Sequence, residues 1–418
     1  MTEPAAEPTT AATAPATAPA TAPAPAPAPA LAPAPAPAPA PAARRAPGPA
    51  LRLTGLAESL PSSVPFVGPE AHERARARPF AARIGANESV FGPSPAARAA
   101  MAAETADGIW RYADPESHDL RAALAAHHGV GMENVVIGEG IDGLLGLLVR
   151  LVTEAGTPIV TSDGAYPTFN YHVAGFGGRL IKVPYAGDHE DPDALIAAAR
   201  DSGAPLIYFA NPDNPMGSWH DAATVQRMIE AVPPGAILCL DEAYAESAPL
   251  GTMPPIDPQD ARVIRMRTFS KVHGMAGARI GYAIGAAPVI KAFDKVRNHF
   301  GINRAGQVGA LAALSDPDHV AATVARIIAA RTRIAEIAAA NGLVALPSAA
   351  NFVAIDCRAD GAFARAVLAG LIARDIFVRM PFVAPQDRCI RVSAGTPADL
   401  DAFAAALPGA LADARAAC

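Results

Sequence analysis

Lysine is scarce in this chain: of its 34 basic residues only Lys182, Lys271, Lys291 and Lys295 carry an amine. Lys271 stands in the stretch TFSKVHGMAGARIGY (268–282), with Thr268 and Ser270 just before it and Arg279 eight residues on. An amine there can serve as nucleophile or base, and hydroxyls with a guanidinium suit an anion. Upstream, DEAY (241–244) offers the carboxylate of Asp241 and the phenol of Tyr244, and NPDNPMG (211–217) the amide of Asn214. GEGIDG (138–143) adds a glycine turn in which Gly138, Gly140 and Gly143 spell G-x-G-x-x-G, with Asp163 about twenty residues on. That is the pattern of a dinucleotide site. A glycine turn opening a helix also serves any phosphate, because the free N–H groups and the helix dipole do the binding.

These groups need elements to hold them. Short apolar, often β-branched runs at 134–137, 158–162, 205–211, 236–242 and 262–270 alternate with longer helical patterns such as DGLLGLLVRLVTEAG and HDAATVQRMIEAVPPG. Strands alternating with helices of ten or more residues predict parallel β-α-β units under helical cover. Ligands collect at the carboxyl ends of such strands. Every group named above stands at or just past the end of a predicted strand, so amine, carboxylate and anion-binding groups are expected on one edge of one sheet. After Gly301 the texture changes to alanine-rich helix followed by NFVAID (351–356), another helix, IFVRM and CIRVSAG. Helices on a small sheet predict an α+β part. The expected organisation is a Pro/Ala-rich tail over 1–50, an arm belonging partly to the small domain over 51–95, a large α/β domain over 96–302, and a small domain over 303–418.

Composition narrows the function. From Ala11 to Ala43 the chain nearly alternates proline and alanine, which predicts an extended or disordered tail with no face to bury. It has neither the basic start nor the continuous apolar core of a signal peptide. The net charge of −6, spread along the chain, argues against nucleic acid or an anionic membrane as partner. No apolar run approaches the roughly 18–20 residues that cross a bilayer. Cys239, Cys357, Cys389 and Cys418 lack metal or redox spacing and read as reduced thiols of a cytoplasmic protein, with no metal site.

Taken in order along one sheet, N-P-x-N-P-x-G, D-x-x-Y and S-K with an arginine eight residues after the lysine resemble the pyridoxal-phosphate-dependent aminotransferases of class I/II, fold type I. Within them the chain looks most like the histidinol-phosphate aminotransferase branch. ANESVFGPSP (86–95), RYADPESHDLRAALAAHHG (111–129), SAANFVAID (348–356) and IRVSAGT (390–396) extend the resemblance over residues 80–400. It implies an α/β large domain, mostly parallel under helices on both faces, plus a smaller α+β domain, and pyridoxal 5'-phosphate as cofactor. Lys271 would form the Schiff base with the cofactor aldehyde. Gly140 with the N–H groups of Ile141 and Asp142, together with Thr268, Ser270 and Arg279, would hold the phosphate. Asp241 would keep the pyridine nitrogen protonated, Tyr244 and Asn214 would bind the ring oxygen, and Phe169 would stack on the ring. Asn214–Pro215 is a candidate cis bond. Tyr112 would reach the phosphate of a neighbouring subunit, which implies a homodimer. Arg391 would clamp the acidic group of the substrate with Arg379 beside it, and Asn87 and Asn351 would line the same pocket.

The implied reaction passes an amino group from a small-molecule donor, an amino acid or histidinol phosphate, to 2-oxoglutarate in two stages, with Lys271 moving the proton. The sequence departs from the branch at Met216, where threonine is usual, which changes little chemistry, and in RMPFVAPQDRC, which lacks the Tyr-Gly-Leu-Pro run common before Arg391 and so bears on substrate. A decarboxylase on the same scaffold would keep Lys271, Asp241 and Arg279. A dinucleotide-dependent oxidoreductase would use GEGIDG instead.

Overall fold

The computed structural model describes residues 51–62 and 67–417. The chain divides into two units, Met1–Arg52 and Leu53–Cys418. The proline/alanine tract expected as a tail lies outside the described residues, and the elements below belong to the second unit.

A two-residue strand, β1 (Ala82–Arg83), comes first. Seven strands then build the large sheet: β2 (Val135–Gly138), β3 (Pro158–Ser162), β4 (Arg179–Val183), β5 (Leu206–Ala210), β6 (Ile237–Asp241), β7 (Val263–Thr268) and β8 (Gly281–Gly285), in the spatial order β2-β8-β7-β6-β5-β3-β4. The pairs among β3 to β7 are parallel, while β8 runs antiparallel to both β7 and β2. The expected α/β class is thus observed. Alternate residues of each strand serve opposite faces. Ile159, Tyr208, Cys239, Ile264 and Met266 meet Leu144, Leu145, Leu148 and Val149 of the helix Gly140–Val152. Val160, Ile207, Phe209, Leu238 and Leu240 meet Leu195, Ile196, Val225 and Met228 from the helices Pro192–Ser202 and Ala222–Ala231. Asp191 and Asp221 start those two helices by accepting the N–H groups of Ala194 and Thr224 at 3.0 and 2.8 Å.

β8 has no counterpart among the strands expected from the pattern. With Gly281 and Gly285 at its ends it reads as a turn, yet Gly281 is required by close packing. A Cβ on Gly281 would stand 2.8 Å from the main chain of Gly140 and 2.9 Å from that of Ile141. The strand thereby lies against the glycine turn, and because it runs backwards it starts at the edge where its neighbours end.

The remaining strands are β9 (Val344–Ala345), β10 (Phe352–Asp356), β11 (Ile376–Phe377) and β12 (Cys389–Ser393). β10 pairs antiparallel with β12 and β9, and β11 pairs parallel with β1. Their core holds Ile334, Ile337, Val353, Ile355, Val367, Leu371, Ile390 and Phe403. A further antiparallel bridge sets Arg379 opposite Arg391, with reciprocal main-chain hydrogen bonds of 3.2 and 2.6 Å.

At the end of β6 two carboxylates follow one another and point to opposite faces. Glu242, fully buried, accepts Nε of Arg265 at 2.8 Å and Nε of Arg267 at 2.9 Å, and Arg265 also donates to the Pro254 carbonyl at 2.8 Å. This triad ties β6 to β7 beneath the edge that carries Lys271. Removing one partner of such a group leaves buried charge uncompensated. Glu242→Ala should therefore lower the unfolding free energy by about 3–5 kcal/mol, read from urea denaturation. A loss below about 1 kcal/mol would mean that the arginines are solvated as a surface pair is.

Candidate active site

The carboxyl edge of the large sheet opens into two adjoining cavities of about 260 and 230 Å³, and Ala86, Tyr166, Asn214 and Lys271 line both. Each group arrives at the end of a strand: Ile141 and Asp142 after β2, Tyr166 after β3, Asn214 after β5, Asp241 on β6, and Thr268, Ser270 and Lys271 at or after the end of β7. Arg279 precedes β8, so the antiparallel strand delivers its guanidinium to the same edge.

Lys271 is half-buried between the cavities, its Nζ donating to the Asn87 carbonyl at 3.2 Å. Burial, and then the positive charge of Arg391, push its pKa down to about 8, against the opposing pull of the Asp142 and Asp241 carboxylates. The amine thus gives up its proton far more readily than an ordinary lysine, as a nucleophile or base requires. Asp241 lines the first cavity with it and is 5% exposed. Burial raises its carboxyl to about 6, while Oδ2 accepts the Tyr208 hydroxyl at 2.8 Å and Oδ1 the Ala243 N–H at 2.9 Å, both favouring the anion. Tyr244 is buried beside them and its hydroxyl accepts Nδ2 of Asn87 at 3.0 Å.

One end of the first cavity is a cradle for an anion. The helix Gly140–Val152 begins there, its first N–H groups without intrahelical partners. Thr268 Oγ1 accepts the Ser270 N–H at 3.0 Å and lies 2.9 Å from Ser270 Oγ. Arg279 donates to Ser270 Oγ at 3.4 Å and to the Glu139 carbonyl at 3.3 Å. Gly140 has φ +74, and a Cβ on it would strike the Arg279 guanidinium at 2.5 Å. The turn is glycine so that arginine and helix terminus can serve one ligand. Arg279 itself has φ +56 and Asn87 φ +58, an uncommon backbone region for residues other than glycine, both at the cavity wall. The cradle and the Asp241 carboxylate of the same cavity suit a phosphorylated pyridine, whose phosphate the N–H groups and hydroxyls would hold and whose ring nitrogen Asp241 would meet.

The second cavity is lined by Arg379, Met380, Phe382, Arg391 and Asn87. Arg391 donates Nη1 to Asn214 Oδ1 at 2.5 Å, and its buried Nε has no partner. Burial, and then the neighbouring Arg379 charge, lower its pKa to about 10. A guanidinium held in this state calls for an anion.

Several expectations need correction. Phe169 does not reach the cavity: it is fully buried and stacks on Tyr208 with centroids 4.5 Å apart and planes 18° apart. Its helix starts at Pro167, which turns Phe169 towards the sheet and leaves Tyr166 at the strand end, its hydroxyl donating to Asp142 Oδ1 at 2.8 Å. Asn351 lines neither cavity and stands behind the wall, donating Nδ2 to the Asn87 carbonyl at 2.9 Å. The cis bond falls at Asn211–Pro212, not Asn214–Pro215. Tyr112, which was expected at a neighbouring subunit and not in its own chain's cavity, needs no such correction: it is 79% exposed and packs against Phe300. Asp163, the acid that a dinucleotide site would use, pairs with Lys182 at 3.1 Å and lines neither cavity. Tyr166 and Tyr208, together with Glu88, Met380 and Phe382 on the cavity walls, are site residues that sequence reasoning missed. Tyr166 carried a signal, since it stands between a strand and the proline that starts the next helix.

Tyr208→Phe keeps the stack on Phe169 and removes one of the two donors to Asp241. Without that donor the Asp241 anion is less stabilised, so its titration should move upward from about 6. Carbon-13 NMR of labelled aspartate in protein without added ligand checks this. An unmoved Asp241 would show that water replaces the hydroxyl.

The same arrangement of sequence and fold recurs in known proteins. The family model described as Aminotransferase class I and II matches residues 83–407. Histidinol-phosphate aminotransferase 1 of Mesorhizobium japonicum is 36% identical over 294 residues, 69% of this chain and 79% of that protein. An aromatic amino acid aminotransferase of Rhodococcus jostii is 34% identical over 299 residues, 68% of this chain and 78% of that protein. The crystal structure of histidinol-phosphate aminotransferase from Sinorhizobium meliloti in complex with pyridoxal-5'-phosphate is 54% identical, covers 88% of this chain and 98% of its own, and superposes with a TM-score of 0.84.

Proposed function

The chain belongs to the class I and II aminotransferases, and on that premise we propose that it moves the amino group of histidinol phosphate to 2-oxoglutarate. It is a pyridoxal-phosphate-dependent transaminase. The observation that carries the reading is Lys271, whose amine is shared by two cavities, one built for a phosphorylated ring and the other for an anionic substrate.

Bound in the first cavity, pyridoxal 5'-phosphate supplies an electrophilic aldehyde and a ring that takes up the electron pair released at the substrate α-carbon. The residues of this chain do the rest. Ser270, Thr268, Arg279 and the N–H groups of Ile141 and Asp142 hold the phosphate. Asp241 keeps the ring nitrogen protonated, which suits a carboxylate fixed by Tyr208 and Ala243. Tyr244 and Asn214 would bind the ring oxygen, and Tyr166, which lines the cavity as Phe169 does not, would serve the ring in its stead. Lys271 Nζ would take up the substrate α-proton and give it up again on the carbon that bore the cofactor aldehyde, with a pKa brought near the working pH by burial. Arg391 and Arg379 grip the phosphate of one substrate and the carboxylate of the other. The apolar side chains of Met380 and Phe382 in the second cavity, with the Rhodococcus relative, favour an aromatic amino acid as second donor. A decarboxylase reading has no comparable support. A homodimer is the assembly that would bring the exposed Tyr112 to a neighbouring site, and the buried free thiols of Cys239, Cys357 and Cys389 are consistent with the cytoplasm.

Lys271→Ala should reduce kcat by at least about 10⁴-fold, the size of a general acid–base contribution or more. Normal turnover by that variant would sink the assignment. A panel of donors with 2-oxoglutarate should give the highest kcat/KM for histidinol phosphate. An inert histidinol phosphate beside a reactive phenylalanine or tyrosine would move the substrate to the aromatic class and leave the transaminase intact.

A further inference from the structure

At the loop that carries Asn214 two carboxyl groups that line neither cavity meet in the interior. Glu190 is 1% exposed and Asp213 2%. They stand within hydrogen-bonding distance of one another, and their other partners are neutral. Glu190 accepts the Ser162 hydroxyl at 2.6 Å on Oε2 and the Ala210 N–H at 3.1 Å on Oε1. Asp213 accepts the Tyr185 hydroxyl at 3.0 Å on Oδ1 and the Met216 N–H at 3.0 Å on Oδ2. Two buried anions at that separation repel strongly. One proton between them replaces the repulsion with a charge-assisted hydrogen bond.

The loop depends on this pair. Asp213 closes it, taking the Met216 N–H through its side chain, the Gly217 N–H at 3.1 Å through its carbonyl, and giving its own N–H to the Ser218 carbonyl at 2.9 Å. Asn214 projects from the middle of that turn to Arg391. Glu190 anchors Asp213 to the ends of β3 and β5 through Ser162 and Ala210, and its own carbonyl accepts His220 Nε2 at 2.9 Å. We infer that Glu190 carries a proton shared with Asp213, and that this singly protonated pair positions the loop 211–217 so that Asn214 meets both the cofactor ring and Arg391. The placement of Asn214 at the ring rests on the aminotransferase reading; the shared proton does not.

The surroundings agree. Burial, and then the Asp213 charge, hold the Glu190 carboxyl well above the usual range. Burial raises Asp213 to about 6, with the Met216 N–H and Tyr185 hydroxyl opposing. The other titratable groups facing the pair are Tyr185 with Asp163 beyond it, Tyr208 on β5, His220 with His189 beside it, and Arg391 and Tyr244 on the cavity side. Of these Arg391 is the permanent cation, and it is engaged by Asn214. In the unfolded chain both carboxyls ionise in the ordinary range, so the folded protein holds the extra proton at neutral pH. A raised folded pKa contributes stability that is complete below the unfolded value and is lost as pH climbs through the folded one.

Glu190→Gln tests this, because an amide can donate to Asp213 while its oxygen still accepts, and it does not titrate. Urea unfolding of cofactor-free protein between about pH 5.5 and 7.5 should show this variant releasing about one proton fewer than the parent on unfolding. Its kcat/KM should stay within about threefold of the parent at neutral pH and hold level to higher pH. Glu190→Ala should lose at least about tenfold in kcat/KM and in pyridoxal phosphate affinity, the scale of one lost buried hydrogen bond or more. Unchanged proton release in the glutamine variant would overturn the shared proton. Parental kcat/KM and cofactor affinity in the alanine variant would overturn the positioning role. Inactivity of the parent on every amino donor, with the proton difference still present, would refute the aminotransferase reading and leave the pair standing.

Discussion

Adjacent carboxylates at the end of β6 have to be buried in opposite directions, and the site depends on how each is kept in place. Glu242 turns away from the cavity into Arg265 and Arg267, an arrangement that commits two cations of β7 to one anion and locks that strand in register. Asp241 turns into the cavity with neutral partners, the Tyr208 hydroxyl and the Ala243 N–H. The first carboxylate is neutralised inside the protein and is structural. The second is oriented but not neutralised, so its charge is left for a ligand. Because β7 leads directly into Thr268, Ser270 and Lys271, the strand that Glu242 fixes is also the one that aims the amine.

The charges of the site balance in the same manner. Lys271 feels the carboxylates of Asp142 and Asp241 on one hand and the guanidinium groups of Arg279 and Arg391 on the other. Burial disfavours the protonated amine and the cations add to that effect, while the anions oppose it. The two arginines face separate cavities and each lacks a full complement of protein acceptors, which is the condition in which an anionic ligand gains most. A phosphate at Arg279 and a substrate anion at Arg391 would each change the field at the amine, so occupancy of either end is felt by the group that does the chemistry.

Much of this is legible in the order of residues. The alternation of buried strands with amphipathic helices is a local property, and so is the position of a glycine turn, a D-x-x-Y or an S-K just past a strand. Lys271, Asp241, Tyr244, Asn214, Thr268, Ser270, Arg279, Arg379 and Arg391 all stand in such local patterns, and all line the two cavities. The errors arise where the direction of a side chain depends on something distant. Phe169 and Tyr166 are three residues apart, and only the seating of their helix on the sheet decides which one looks outward. Asn87 and Asn351 look equivalent in sequence, but the first forms the wall and the second stands behind it.

What the sequence determined by itself was therefore the set of elements and which groups stand at their ends, because strand and helix periodicity and turn chemistry act over a few residues. Tertiary structure decided the rest. It made Gly281 the start of a strand by packing it on Gly140, and it sent Glu242 to Arg265 and Asp241 to Tyr208. It also brought Glu190 and Asp213 together, a contact that no spacing encodes. The physical reason is the same in each case. A buried charge or a close main-chain approach is tolerated only when a particular partner stands opposite it, and that partner comes from a remote part of the chain.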